Sequence, residues 1–233
     1  MVIDNKNRPG QLTDIAIVAL ASILAFLVEL AVAEHLPWGA EARGVIAVLA
    51  GAAAAVAITL GRGGRLADLG FRRPKRWLTV PVWVLGILVV FVIAQNAVPL
   101  LVAPFFHLPE PDLSRYDAVR GNLAAAVSLA VVLPLTAAVP EEILYRGFLI
   151  GRLTRLFGAS AGAPVVAVVV QAMVFGAIHF QWGVGGIIVT AIMGAVWGFA
   201  FLLCGRNLWI VIIAHSTAHF ALIAQLYHAP PPQ

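Results

Sequence analysis

Seven long apolar runs constrain the fold of this chain more than any other feature. Most of the runs approach the ~20 residues that a helix needs to cross the ~30 Å hydrocarbon core of a bilayer. They are continuous, whereas the strands of a membrane barrel alternate apolar and polar residues. The sequence therefore predicts an all-α fold, a polytopic membrane helix bundle of about seven transmembrane helices. The runs cover residues 15–28, 45–60, 80–103, 123–139, 163–180, 184–204 and 208–227.

Composition indicates that lipid, and not water, is the main solvent of the chain. Of the 233 residues, 61% are hydrophobic and 11% are charged, compared with roughly half and a quarter in soluble domains. The sequence contains no internal repeat and no Gly-rich phosphate-binding loop. We therefore expect a single membrane domain over residues 1–233.

The positive residues predict the orientation of the chain in the membrane. When the seven spans alternate in direction, 12 of the 15 Lys and Arg residues fall on one side. That side carries Lys6, Arg8, six residues within 62–76, three within 146–155 and Arg206, and the other carries Arg43, Arg115 and Arg120. The bias places the N-terminus in the cytoplasm and the chain in a cell (plasma or inner) membrane. Contact with anionic lipid headgroups accounts for the pI of about 9.8, so no nucleic-acid partner is implied.

The first apolar run also has features of a cleavable signal peptide. Lys6 and Arg8 precede it, and Ala31-Val32-Ala33 follows, as in a secretory leader. Glu29 interrupts the usual approach to such a cleavage site. Cleavage after Ala33 would leave the remaining topology unchanged.

Ionisable residues inside membrane spans are costly, and they therefore indicate a functional site. Glu29 stands alone, and we expect it to have an interfacial or packing role. The uncharged Gln95 and Asn96 are expected to form hydrogen bonds across helices. The remaining ionisable residues in or at the ends of spans are Glu141, Glu142, Arg146, His179, His215 and His219.

The two adjacent glutamates are predicted to have different environments. Glu142 and Arg146 are four residues apart and lie on one helix face, where they can pair. Glu141 is rotated by about 100° from Glu142 on an ideal helix, so this arginine does not neutralise it. Pro140 favours a kink immediately before Glu141. A plainer alternative places both glutamates in interfacial water.

These motifs resemble those of the CPBP (Abi) family of intramembrane proteases, which includes the type II CAAX prenyl proteases. The family pattern is EExxxR, then FxxxH, then HxxxN or HxxxD. This chain has Glu141-Glu142-xxx-Arg146, Phe175-xxx-His179 and His215-xxx-His219 on successive spans. The resemblance implies a catalytic core over residues 121–227. His219 departs from the family's Asn or Asp, and its imidazole can donate a hydrogen bond as an amide does or bind a metal.

The resemblance implies an intramembrane endopeptidase that needs no cofactor. Peptide hydrolysis requires a base for the water, a donor for the oxyanion and an acid for the leaving amine. Glu141, as the unpaired carboxylate, is expected to be the base, with His179 beside it to orient the water and shuttle a proton. His215 and His219 are expected to stabilise the oxyanion. Glu142 and Arg146 would aim Glu141, with Phe175 in a supporting role.

Three alternatives use the same residues differently. Glu141, His179, His215 and His219 could be zinc ligands, although the sequence lacks HExxH. A bacteriocin-immunity or scaffolding protein could keep the motifs as structure. A proton-coupled transporter is less consistent with a sequence that lacks two repeated halves.

For a protease, the expected partners are the bilayer and a membrane-associated or lipid-modified polypeptide, cleaved toward the cytoplasmic side. The sequence leaves open whether that polypeptide is prenylated and which oligomer forms.

Overall fold

The computed structural model describes residues 8–32, 35, 44–102 and 113–230. Within these residues the chain is helical and has no strand, which confirms the predicted polytopic helix bundle. Lys6, Ala33 and Arg43 lie outside the described residues. The helices are α1 (Arg8–Val32), α2 (Val45–Gly61), α3 (Val80–Val102), α4 (Leu123–Phe157), α5 (Ala163–Ala177), α6 (Gly183–Leu203) and α7 (Leu208–His228).

Five of these helices, α1, α3, α4, α6 and α7, are long and apolar enough to cross a membrane. The other two, α2 and α5, have 17 and 15 residues. At 1.5 Å per residue they extend about 26 and 23 Å. Both are apolar, and both pack between the longer helices. The bundle therefore combines full-length spans with two shorter apolar helices.

Helix α4 continues well beyond the apolar run that predicted it. The run ends at Val139, whereas the helix ends at Phe157. Two widened, π-helical stretches, Pro134–Ala138 and Glu142–Leu149, lie on either side of Pro140. Proline lacks the N–H that an α-helical ladder needs, and widened turns of this kind often occur at functional sites. The helix thus passes Pro140 by local widening.

Small residues bring α5 and α6 into close contact. A Cβ atom added at Gly194 would lie 3.1 Å from Ala172 Cα, and one added at Gly198 would lie 2.8 Å from Val168 Cγ1. Larger side chains would force the two helices apart. This close approach fixes the position of the α5 residues against the centre of the bundle.

Two polar groups outside the motifs have clear structural roles. Glu29 is buried, and its carboxylate accepts hydrogen bonds from the backbone N–H groups of Gly44 and Ile46 at 2.9 and 3.4 Å. It therefore caps the start of α2. The expectation of hydrogen bonds across helices from Gln95 and Asn96 was wrong for Asn96. Its amide donates to Val92 O of its own helix at 2.8 Å, and both side chains are exposed on α3.

The basic segment between α2 and α3 folds against the end of the bundle. Its turn Leu66–Leu69 buries Leu69, and a Cβ at Gly147 of α4 would lie 2.7 Å from Leu69 O. Gly70 O accepts from the backbone N–H of Leu208 at 2.8 Å. The segment therefore connects the second half of α4 to the start of α7.

Candidate active site

A buried ion pair lies at the centre of the candidate site. Arg146 Nη1 is 3.1 Å from Glu142 Oε1, and both side chains are 0% exposed. Arg146 Nη2 also donates to Gly194 O at 3.4 Å, and its guanidinium lies 4.8 Å from the centre of the Phe175 ring. The predicted pairing of Glu142 with Arg146 is present. Each charge in this apolar interior therefore has an opposite partner.

His215 on α7 bridges the two glutamates of α4. Its Nδ1 lies 2.8 Å from Glu142 Oε1, and its Nε2 lies 4.0 Å from Glu141 Oε2. Because Glu142 is paired with Arg146, its carboxylate is an acceptor, and the His215 Nδ1–H donates to it. The other ring nitrogen, Nε2, is thereby directed toward Glu141.

Glu141 and Glu142 differ sharply in their surroundings. Glu141 retains 15% of its side-chain surface, whereas Glu142 retains none. In the part of the chain that the structure describes, the 4.0 Å approach to His215 is the one ion-pair contact of Glu141. One carboxylate is therefore held between Arg146 and His215, and its neighbour faces a more open space.

His179 lies just after α5, apart from direct contact with Glu141. Its Nδ1 is 2.6 Å from Phe175 O. A carbonyl oxygen only accepts, so Nδ1–H donates and Nε2 keeps a free lone pair. The ring lies 4.8 Å from the rings of both Phe175 and Trp182. The sequence placed His179 beside Glu141. Among the described residues, however, no hydrogen bond or ion pair within 4.0 Å joins the two side chains.

Phe175 connects the α4 and α5 motifs. Its ring meets Tyr145 edge-on at 5.0 Å, lies beneath Arg146 and contacts His179 one turn later. Residues four apart share a helix face, which explains the FxxxH spacing. The contacts position His179 relative to the ion pair.

His219 packs against His215 one turn farther along α7. The two ring centres are 4.6 Å apart and the ring planes are inclined by 52°. His219 Nδ1 is buried and has no hydrogen-bond partner among the described residues. The contact between the two imidazoles is thus a packing contact, and a hydrogen-bonding role for His219 stays a prediction.

Residues 123–221 match the family model of type II CAAX prenyl endopeptidases, described as Rce1-like. This segment is an Rce1-like endopeptidase domain. The family expected from the motifs is thereby confirmed, and all seven candidate residues lie inside the match. The match supports a protease function for this segment, in general terms that of a CAAX-type intramembrane endopeptidase. No curated protein and no solved structure matches the chain.

Two residues of the Rce1-like domain near the site were not expected from the sequence. Trp197 is fully buried and stacks between Phe91 and His215, with ring centres 5.3 Å from each and interplanar angles of 21° and 18°. An aromatic residue in an apolar span carries no signal that distinguishes it from ordinary packing. Gln171 is also fully buried, and its amide has no partner among the described residues. Its polarity in the middle of an apolar run was a signal that could have identified it.

The candidate zinc ligands of the Rce1-like domain do not converge in this arrangement. Within the described ranges, no group of three or more His, Cys, Asp and Glu side chains is gathered closely enough to hold a metal ion. His215 directs Nδ1 to Glu142, and His179 is joined to the cluster through Phe175. A zinc site at these residues stays a prediction.

Proposed function

We propose that this chain is a glutamate-dependent, metal-free intramembrane endopeptidase in which Glu141 activates the attacking water and His215 stabilises the tetrahedral intermediate. The position of His215 between two unequal glutamates carries this proposal. Nδ1 is 2.8 Å from the buried Glu142, and Nε2 is 4.0 Å from the partly exposed Glu141. An imidazole held in this way has one nitrogen anchored and the other directed to the reacting groups.

Glu141 is the better base of the two carboxylates. A general base must reach the proton that it removes, either directly or through one water. Glu142 is enclosed and already accepts from His215 while pairing with Arg146. Glu141 has open surface and no arginine partner among the described residues. A water between Glu141 and the scissile carbonyl would therefore give its proton to Glu141.

His215 supplies the donor for the developing oxyanion. Carrying protons on both nitrogens, it donates from Nδ1 to Glu142 and from Nε2 to the oxygen that becomes negative. Glu141 has by then taken the water proton, so the charges of Glu142, Arg146, protonated His215 and the oxyanion sum to zero, which favours this state in an apolar interior. A fixed donor aimed at developing charge is commonly the largest contribution to catalysis of this type. Trp197, stacked on the ring, holds it in this plane.

The leaving amine receives the proton that the water has lost. As the water oxygen bonds to the carbonyl carbon, the C=O electron pair moves to the oxygen. Collapse of the intermediate restores the C=O bond and breaks the C–N bond, while the proton passes from Glu141 to the amine nitrogen. His179, whose Nε2 lone pair is free, relays this proton through water. The reaction consumes one water molecule and yields one acid and one amine.

We further propose that the substrate is a membrane-associated or lipid-modified polypeptide cleaved near the cytoplasmic face of a cell membrane. The residues that carry the chemistry lie within a catalytic core over residues 121–227. The 12 positive residues on one side of the predicted topology support the orientation. Cleavage within or beside the bilayer requires a substrate that is itself held there.

Glu141→Gln in the purified, reconstituted protein tests this mechanism. The amide cannot accept the water proton, so kcat should fall by about 10²-fold or more. Folded yield should stay close to that of the wild type, because Glu141 is partly exposed and its side chain makes no hydrogen bond within the described residues. The assay is cleavage of a lipidated peptide in proteoliposomes. The control is Asp117→Asn, the same carboxylate-to-amide change in the turn Ser114–Val119, outside the candidate site. A Glu141→Gln protein that cleaves at the wild-type rate would refute the role of Glu141. If the wild-type protein itself cleaves nothing, the result favours a scaffolding protein over a protease.

A further inference from the structure

A polar cavity lies at one end of the bundle, away from the candidate active site. Its volume is about 530 Å³, and its walls come from the start of α1, the segment 62–72, residues 147–155 of α4 and the turn after α6. None of the seven candidate catalytic and supporting residues lines it. Its charged lining consists of Arg62, Arg72, Arg152, Arg155, Arg206, Asp14 and Asp68. We call it the basic cavity, since five cations face two anions.

The two carboxylates of the basic cavity both have partners within the protein. Asp14 Oδ1 accepts from Arg62 Nε and Nη2 at 3.2 and 2.8 Å, and Asp14 Oδ2 lies 3.3 Å from Arg152 Nε. Asp68 accepts from the backbone N–H of Arg65 at 2.8 Å and so caps the turn that follows. Asp14 thus pairs with two arginines, and Asp68 accepts a hydrogen bond from the backbone.

The remaining three arginines have no carboxylate partner among the described residues. Arg155 Nε donates to the neutral Gln11 amide oxygen at 3.0 Å, and Arg72 Nε donates to Ala67 O at 2.8 Å. In the described part of the chain, no acidic group lies within 4.0 Å of Arg72, Arg155 or Arg206. Burial, and then the neighbouring Arg72, lower the pKa of Arg206. The three guanidiniums thus retain Nη donors in a fork that matches phosphate oxygens.

The backbone conformation of Arg206 independently supports a functional role for its side chain. Its φ of 58° is the one positive value at a non-glycine residue in the described chain. Glycine or asparagine adopts this left-handed conformation more readily than arginine does. An unfavourable backbone conformation that persists points to a function of the residue. Arg206 lines the basic cavity and so brings a third guanidinium to it.

We propose that the basic cavity binds a phosphate group, with Arg72, Arg155 and Arg206 as its donors. Charge-assisted hydrogen bonds from several arginines are the usual means of holding this group. The cavity lies at the end of the bundle where the predicted cytoplasmic positive charge is concentrated. Basic pockets between helices at that face bind anionic phospholipid headgroups. A soluble phosphate offers the same oxygens, and the experiment distinguishes the two sources.

The test compares ligand-dependent thermal stability of the full chain after removal of bound lipid. One arm adds inorganic phosphate in neutral detergent at constant ionic strength, and the other compares nanodiscs of phosphatidylcholine with and without phosphatidylglycerol. Arg155→Gln and Arg206→Asn should each weaken apparent affinity by about tenfold or more. Asparagine tolerates the left-handed backbone, so a folding defect is avoided. Arg73→Gln, an exposed residue of the same segment that does not line the cavity, is the matched control.

The outcomes separate the ligand sources and can overturn the site. Stabilisation by phosphatidylglycerol discs alone assigns a lipid headgroup, and stabilisation by inorganic phosphate alone assigns a soluble phosphate. Stabilisation in both arms, lost in Arg206→Asn, supports recognition of the phosphate group itself. The proposal fails if neither ligand stabilises the wild type. It also fails if Arg73→Gln weakens binding as much as Arg206→Asn, since diffuse surface charge would then be responsible.

Discussion

The buried Glu142–Arg146 pair makes the sharpest prediction about stability. In Arg146→Met, the Glu142 carboxylate would remain enclosed without its arginine, and Gly194 O would lose a donor. Removing one partner of such a pair costs about 3–5 kcal/mol. For a chain of this size, that corresponds to a fall in Tm of about 6–20 °C. We expect the lower end, because His215 still donates to Glu142.

A double variant separates folding from catalysis. In Glu142→Gln/Arg146→Met the uncompensated charge is gone, so much of the lost stability should return. Activity should not return, because His215 Nδ1 would face a neutral acceptor and its orientation and charge would no longer be supported. The assays are the folded fraction in size-exclusion chromatography, the thermal transition in a fixed detergent and cleavage of a lipidated peptide. Wild-type stability of Arg146→Met, or equal losses in the single and double variants, would refute the electrostatic account.

Three further outcomes are expected. Gly198→Leu should lower the folded yield, because an added Cβ already comes within 2.8 Å of Val168 Cγ1. The control Gly86→Leu should keep the yield, because a Cβ there meets no atom within 4 Å. Equal yields of the two variants would contradict the packing argument. Glu29→Ala should reduce stability by about 1 kcal/mol because the first N–H groups of α2 lose their acceptor, and an unchanged thermal transition would count against the cap. His219→Asn should keep kcat/KM within about tenfold, because an amide also donates a hydrogen bond; a complete loss of cleavage would mean that an imidazole is required.

Much of the helical architecture follows from the sequence because lipid leaves few alternatives. Continuous apolar runs in a medium without hydrogen-bond partners must satisfy their backbone groups within each helix. Contacts between residues four apart on one helix follow from the same geometry. The Glu142–Arg146 pair and the contact of Phe175 with His179 are both of this kind. Such contacts depend on helical rise and rotation, and these are nearly constant.

The tertiary structure decided how the separate helices meet. Local geometry did not indicate that His215 would donate to Glu142, or that Trp197 would stack on its other side. These contacts depend on the rotation and depth of α7 and α6 against α4, which are set by side-chain packing and by glycines such as Gly194. A basic cavity assembled from four segments has no local pattern for the same reason. The sequence by itself thus determined the helices, the family and the residues able to react, and packing between helices decided which of their polar atoms come within bonding distance.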